Sequence, residues 1–136
     1  MRKIEILALL LIISNIFTFS CKTSPDERGG KSKISGICRA QKTFFKKNAR
    51  YGTLEELVDA KLIDDIWFRN YGFTQDVKIT ETGYFATVIP NDFSKSPMFY
   101  VDEKGIIKTH YGDTNIQPDD PECSYSNGAK CLCYDG

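Results

Sequence analysis

The sequence predicts an α+β domain. An N-terminal helix and a short second helix pack on a three- to four-stranded antiparallel meander, and an irregular, disulfide-stapled C-terminal tail closes it. Three observations carry this. Apolar residues recur at helical spacing from Ile34. From Tyr71 to Thr109, short β-prone runs follow one another across tight turns with no helix between them, which excludes a parallel βαβ sheet. From Tyr111 the chain turns rich in Gly, Pro, Asp and Asn, loses all periodicity and carries Cys123, Cys131 and Cys133.

The chain has 136 residues, which suits one domain. It is 41% hydrophobic and 12% aromatic, ordinary for a globular protein, and its formal net charge is zero. A zero balance argues against a nucleic-acid partner, which calls for a basic excess. The charge is unevenly spread. Cys21 to Gly52 holds nine Lys/Arg against two Asp/Glu, and Tyr111 onward holds five Asp/Glu against one Lys. The basic stretch is a solvated helix face or a surface that meets anionic lipid.

Residues 1–20 read as a signal peptide. Arg2 and Lys3 precede an apolar run from Ile6 to Ile13 that weakens toward Phe19, and Ser20 supplies the small residue before the cut. The run is short for a membrane span, which needs roughly 20 apolar residues. Cys21, directly after it, resembles the lipid-modified cysteine of bacterial lipoproteins. Cysteine parity agrees: five cysteines are odd for an exported chain, and lipidation of Cys21 leaves an even four. The other reading is a plainly cleaved signal with Cys21 free. Residues 21–33, the lipidated Cys21 followed by KTSPDERGGKSK, are expected to form a flexible tether, because the stretch is charged and aperiodic.

The folded unit is expected over 34–110. Ile34, Ile37, Cys38, Gln41 and Phe45 lie on one face of the first helix, and Gly52 is expected to stop it. Thr53-Leu-Glu-Glu56 is a capping box for the second helix, buried through Leu54, Leu57, Val58 and Leu62 and ended by Asp64-Asp65. Ile66-Trp67-Phe68 is expected to make an apolar contact. Strands are expected at Tyr71–Thr74 running on to Val77–Thr80, at Tyr84–Ile89, at Met98–Val101 and at Ile106–Thr109.

Taken in order, several of these pieces resemble the head domain of type IV pilin-like proteins, the pseudopilin group. They are Ala40-Gln41, Phe44-Phe45, Arg50-Tyr-Gly-Thr-Leu-Glu-Glu-Leu-Val-Asp-Ala-Lys-Leu-Ile63, Tyr71-Gly-Phe73, Tyr84-Phe-Ala-Thr-Val-Ile-Pro90 and Phe99-Tyr-Val-Asp-Glu-Lys-Gly-Ile-Ile-Lys108. The resemblance covers about Ile34 to Thr109 and implies a helix packed on an antiparallel sheet. The family's filament-building helix is expected to be absent. Glu5 has no preceding cleavage glycine, and Pro25 with Gly29-Gly30 is expected to interrupt any helix leading into Ile34.

The tail, 111–136, is stapled. Cys131 and Cys133 are too close in sequence to suit each other. That leaves Cys38–Cys131 with Cys123–Cys133, or Cys38–Cys133 with Cys123–Cys131. A four-thiolate zinc site is disfavoured by the spacing. Asp113, Asp119, Asp120 and Asp135 are weak calcium candidates, a role that the pseudopilin resemblance also permits, although the spacing of a loop calcium site is missing.

No catalytic constellation appears. His110 is the only histidine, no serine sits in G-x-S-x-G and no phosphate-cradling glycine loop is present. No enzyme activity and no cofactor are therefore expected. The expectation is a lipid-anchored, palmitate-bearing module of the bacterial cell envelope, its partners being the membrane and envelope, secretion or pilus proteins. Contact is expected through the sheet's open edge and the loops around Phe93 and Pro97. The alternatives are an atypical pseudopilin of a secretion or pilus system and a secreted metal-binding domain.

Overall fold

The structure, a computed structural model, describes residues 25–66 and 72–133. The signal segment, Cys21, Trp67-Phe68 and Asp135 lie outside the described residues.

The expected fold class holds. Among the described residues two helices, α1 (Pro25–Asn48) and α2 (Leu54–Asp59), precede four strands: β1 (Phe73–Ile79), β2 (Tyr84–Pro90), β3 (Met98–Asp102) and β4 (Lys108–His110). The strands form one antiparallel sheet in the order β1-β2-β3-β4, a meander. Helix α1 lies across β2 and β3. Strand β2 alternates, with Tyr84, Ala86, Val88 and Pro90 buried and the residues between them half-buried. The core joins Ile34, Ile37, Cys38 and Phe44 of α1 to Leu57, Phe73, Ala86, Val88, Phe99 and Val101.

The expected tether from Pro25 to Lys33 is instead the first third of α1. Proline's fixed φ suits a first helical turn, and Asp26 and Glu27 face the positive end of the helix dipole there. Glu27 also bridges Lys31 one turn on, at 3.0 Å. Gly29-Gly30 does not break the helix; it allows close approach. A Cβ on Gly30 would lie 2.6 Å from Cε2 of Phe99 and 3.0 Å from Cε1 of Phe73. Charge in this segment did not keep it in solvent, since Lys31 and Lys33 are both buried. Burial pulls the Lys33 ammonium below its ordinary pKa.

Five finer expectations are corrected. Phe44, not Phe45, continues the buried face, because it stands seven residues after Ile37. Phe45 is 44% exposed and stacks on Tyr51 with ring centres 4.7 Å apart. Helix α1 ends at Asn48, with Ala49 in the left-handed region at φ 55° and its amide donating to Phe45 O at 2.8 Å. Helix α2 ends at Asp59, before Asp64-Asp65, and Ile66 is exposed. Strand β4 starts at Lys108, because Ile106 pairs instead with Leu132 of the tail.

Gly52 has a different task from stopping the helix. The buried Gln41 side chain clips it on both sides: Nε2 donates to Gly52 O at 2.7 Å, and Gly52 N donates to Oε1 at 3.0 Å. This fixes the turn into α2, whose capping box forms as expected. Arg50 adds a two-pronged contact to Glu56, at 2.9 and 2.6 Å. That contact, with the Thr53 amide, holds the Glu56 carboxyl down at about 2. Gln41→Leu keeps the volume but strands both buried Gly52 groups. It is expected to lower stability by about 2–3 kcal/mol, read from urea unfolding midpoints.

Candidate functional site

The tail is built into the domain along two lines. The first runs down α1. Lys31, Cys38 and Lys42, spaced seven and four residues apart, share one helix face. Lys31 Nζ donates to Ser124 O at 2.6 Å and sits 5.3 Å from the centre of the Tyr125 ring. Cys38 is bonded to Cys133 with Cα atoms 5.4 Å apart, and Lys42 Nζ donates to Cys133 O at 3.1 Å. Tyr84 donates its hydroxyl hydrogen to Cys38 Sγ at 3.4 Å, and burial first of all raises that phenol's pKa. The second bridge, Cys123–Cys131, closes a small hairpin within the tail. Tyr125 N donates to Ala129 O and Cys131 N to Cys123 O inside it. Of the two pairings open to the sequence, the structure has Cys38–Cys133 with Cys123–Cys131.

The second line runs along β4. Thr109 N donates to Pro121 O at 2.9 Å and Cys123 N to Ile107 O at 2.8 Å, so the tail closes this edge of the sheet. The tail is aperiodic, as expected, but pinned by backbone pairing.

Between these lines, on the sheet face away from α1, lies a polar cluster. Asp120, with its side chain 8% exposed, accepts from His110 Nδ1 at 2.9 Å, from the Tyr100 hydroxyl at 3.1 Å and from Gln117 N at 2.9 Å. Burial pushes its carboxyl pKa up, but these three donors together hold it below the usual range. Burial and the hydrogen bond to Asp120 raise the Tyr100 phenol to about 12. His110 Nδ1 carries the proton toward the carboxylate. Its Nε2 is shut from solvent with no hydrogen-bond partner, 3.7 Å from Asp113 Oδ1.

A histidine held by a carboxylate is two parts of a catalytic triad, but its outer nitrogen here faces neither a nucleophile nor solvent. Two clefts lie elsewhere. One of about 440 Å³ separates α2 from β1, beside Leu54, Val58 and Phe73. One of about 310 Å³ lies between α1 and Tyr125. Neither is lined by His110. The cluster is a clamp that fastens loop 111–120 to the sheet.

The calcium candidates are not gathered. Asp120 is saturated by its donors, Asp113 accepts from the Asn115 amide and side chain at 2.8 and 2.9 Å, and Asp119 is exposed. Among the described residues no group of three or more His, Cys, Asp or Glu is placed to hold a metal. Of the surface expected for partners, Pro97 is buried and Phe93 half-buried, while Asn91, Asp92, Ser94 and Lys95 of the same loop are exposed.

Asp120→Asn is expected to cost about 1–2 kcal/mol at neutral pH, because Tyr100 and His110 lose a charged acceptor. The sign with pH follows from the lowered carboxyl pKa. Asp120 contributes stability above its unfolded value of about 4, and this is lost as pH falls through its folded value. Unfolding midpoints between pH 7 and pH 3 should therefore converge for the two proteins.

Sequence reading missed this clamp. The signal was present: two-residue alternation puts Tyr100 on the face opposite Phe99 and Val101, and an acidic tail follows the lone histidine.

Comparison of the chain with protein-family models, curated protein sequences and solved structures found no match.

Proposed function

We propose that this chain is a non-catalytic envelope lipoprotein, anchored through Cys21, whose disulfide-stapled, pilin-head-like domain serves as a structural or protein-interaction module. The observation that carries the reading is the pairing of all four remaining cysteines in two bridges. Disulfides of this kind belong to oxidising, exported settings, and they leave Cys21 as the odd thiol directly after a signal-like segment. The mutual hydrogen bonding of His110, Asp120 and Tyr100, with His110 Nε2 shut from solvent, is in keeping with a role without catalysis. In this reading attachment rests on the lipid at Cys21.

Metabolic labelling with a tagged palmitate analogue tests it. The chain should take up label and sediment with membranes, and Cys21→Ser should abolish both. An unlabelled wild-type chain would contradict the anchor.

One observation favours the second reading, an atypical pseudopilin. Helix α1 runs unbroken through Gly29-Gly30 from Pro25, which removes one argument against a longer N-terminal helix. N-terminal sequencing separates the two: a start at Cys21 supports the lipoprotein, and a start ahead of an uninterrupted apolar helix supports the pseudopilin.

A further inference from the structure

The two edges of the sheet are treated differently. The tail closes the β4 edge, whereas among the described residues no strand pairs with the outer edge of β1. Thr80 N donates to Gly83 O at 3.0 Å, which sets the phase of the β1–β2 ladder. Even-numbered residues of β1 bond to β2, and odd-numbered ones turn their N–H and C=O groups outward. Gln75 caps one outward carbonyl, donating from Nε2 to Phe73 O at 3.2 Å. Gln75, Val77 and Ile79 still offer main-chain groups along the edge.

We propose that β1 is a homotypic docking edge, on which a second copy of this chain adds its own β1 antiparallel, with the two-fold axis at Val77. This deepens the reading of the domain as an interaction module and rests on it. The sequence of the strand selects the occupant and the register. A two-fold at Val77 places outward-bonding residues opposite each other, with Val77 facing Val77 and Gln75 facing Ile79. On the outer face it sets Asp76 opposite Lys78 of the second copy, Lys78 opposite Asp76, and Thr74 opposite Thr80, each twice by symmetry. These are the opposite-charge and Thr–Thr cross-strand pairs that stabilise antiparallel ribbons. Asp76 and Lys78 fall at non-hydrogen-bonded positions, where facing side chains come closest. Moving the axis one residue either way sets Asp76 against Asp76 or Lys78 against Lys78. Both side chains are free to turn across the edge, being 54% and 75% exposed and only 3.9 Å apart in a loose ion pair.

The opposite face of the ribbon fits as well. Ile79, 47% exposed, and the partly buried Val77 would form an apolar rib of four side chains across the axis. The pairing would join two four-stranded sheets into one of eight. Seven residues of edge make a small interface, at the low end of specific contacts, so a weak dimer with Kd of about 10–100 μM is expected.

Sedimentation velocity on the full chain, disulfides intact and in a monodisperse detergent, tests this over a concentration series. The wild type should pass from monomer to dimer. Asp76→Lys and Lys78→Asp should each weaken dimerisation at least about tenfold, because each sets like charges opposite one another. The double exchange Asp76→Lys/Lys78→Asp should restore it. An equimolar mixture of the two single variants should form a heterodimer, since a strand with lysine at both positions then faces one with aspartate at both. A wild type that stays monomeric to about 1 mM, or a dimer indifferent to these exchanges, would overturn the proposal. Binding of an unlike envelope protein by that monomer would leave the interaction-module reading standing.

Discussion

Removing the Cys38–Cys133 bridge, by Cys38→Ala with Cys133→Ala, is expected to lower stability by about 4–5 kcal/mol. Removing Cys123–Cys131 in the same way is expected to cost only about 2.5 kcal/mol. The difference comes from the unfolded chain. The first bridge ties residues 95 apart and the second residues 8 apart, and the loop-closure entropy denied to the unfolded state grows with the logarithm of that span. A domain of this size has about 5–15 kcal/mol in all, so loss of the long bridge brings it near the threshold of unfolding. Alanine is the right replacement because Cys38, Cys123 and Cys131 are buried, and a serine hydroxyl there would add a cost of its own. Urea unfolding of the two double variants checks the ranking. Equal losses would show that native-state strain or residual structure, not chain entropy, sets the contribution.

Gly30→Leu is expected to destabilise by about 3 kcal/mol, while Gly36→Ala, six residues further along the same helix, is expected to stabilise by about 0.5–1 kcal/mol. Both exchange a helical glycine for a better helix former, a gain of up to about 1 kcal/mol. Packing decides the sign. At Gly30 a new Cβ would meet the rings of Phe99 and Phe73, both buried, and rings locked in a core cannot swing aside. At Gly36 a new Cβ meets nothing within 4 Å. The pair also separates two views of residues 25–33. In a flexible tether Gly30→Leu would be silent. In a helix laid on the sheet it forces a large side chain between two packed rings. Thermal midpoints of the two variants give the answer directly.

Much of the fold is legible because its signals are local. Thr53 and Glu56 announce a helix start by spacing alone, and the alternation from Tyr84 to Pro90 fixes which face of β2 meets α1. The start of α1 is not legible, for a physical reason. Asp26, Arg28, Lys31 and Lys33 look like solvent-seeking residues around a Gly-Gly break. Yet Lys31 finds a carbonyl, a carboxylate and an aromatic ring in the tail and first turn, partners from sites up to 94 residues distant. No periodicity count sees such a partner. At Phe45 the expected face is off by a single position, because one residue turns a helix by about 100° and adjacent phenylalanines leave both faces open. The site divides in the same way. Cysteine arithmetic narrows the pairing to two options and cannot choose, since that choice depends on where the hairpin 123–131 sits. The His110–Asp120–Tyr100 clamp joins a strand to a loop ten residues on, and reading it needs the register of β3 against β4.

Peptide and intact mass spectrometry of the native, unreduced protein from its membrane fraction tests the central claim most directly. The expected result is a mature chain that begins at an acylated Cys21, with Cys38 linked to Cys133 and Cys123 to Cys131. A chain that begins at Met1 with all five thiols free would contradict both the export and the stapling of the domain, and a Cys38–Cys131 link would contradict the tail's placement along α1.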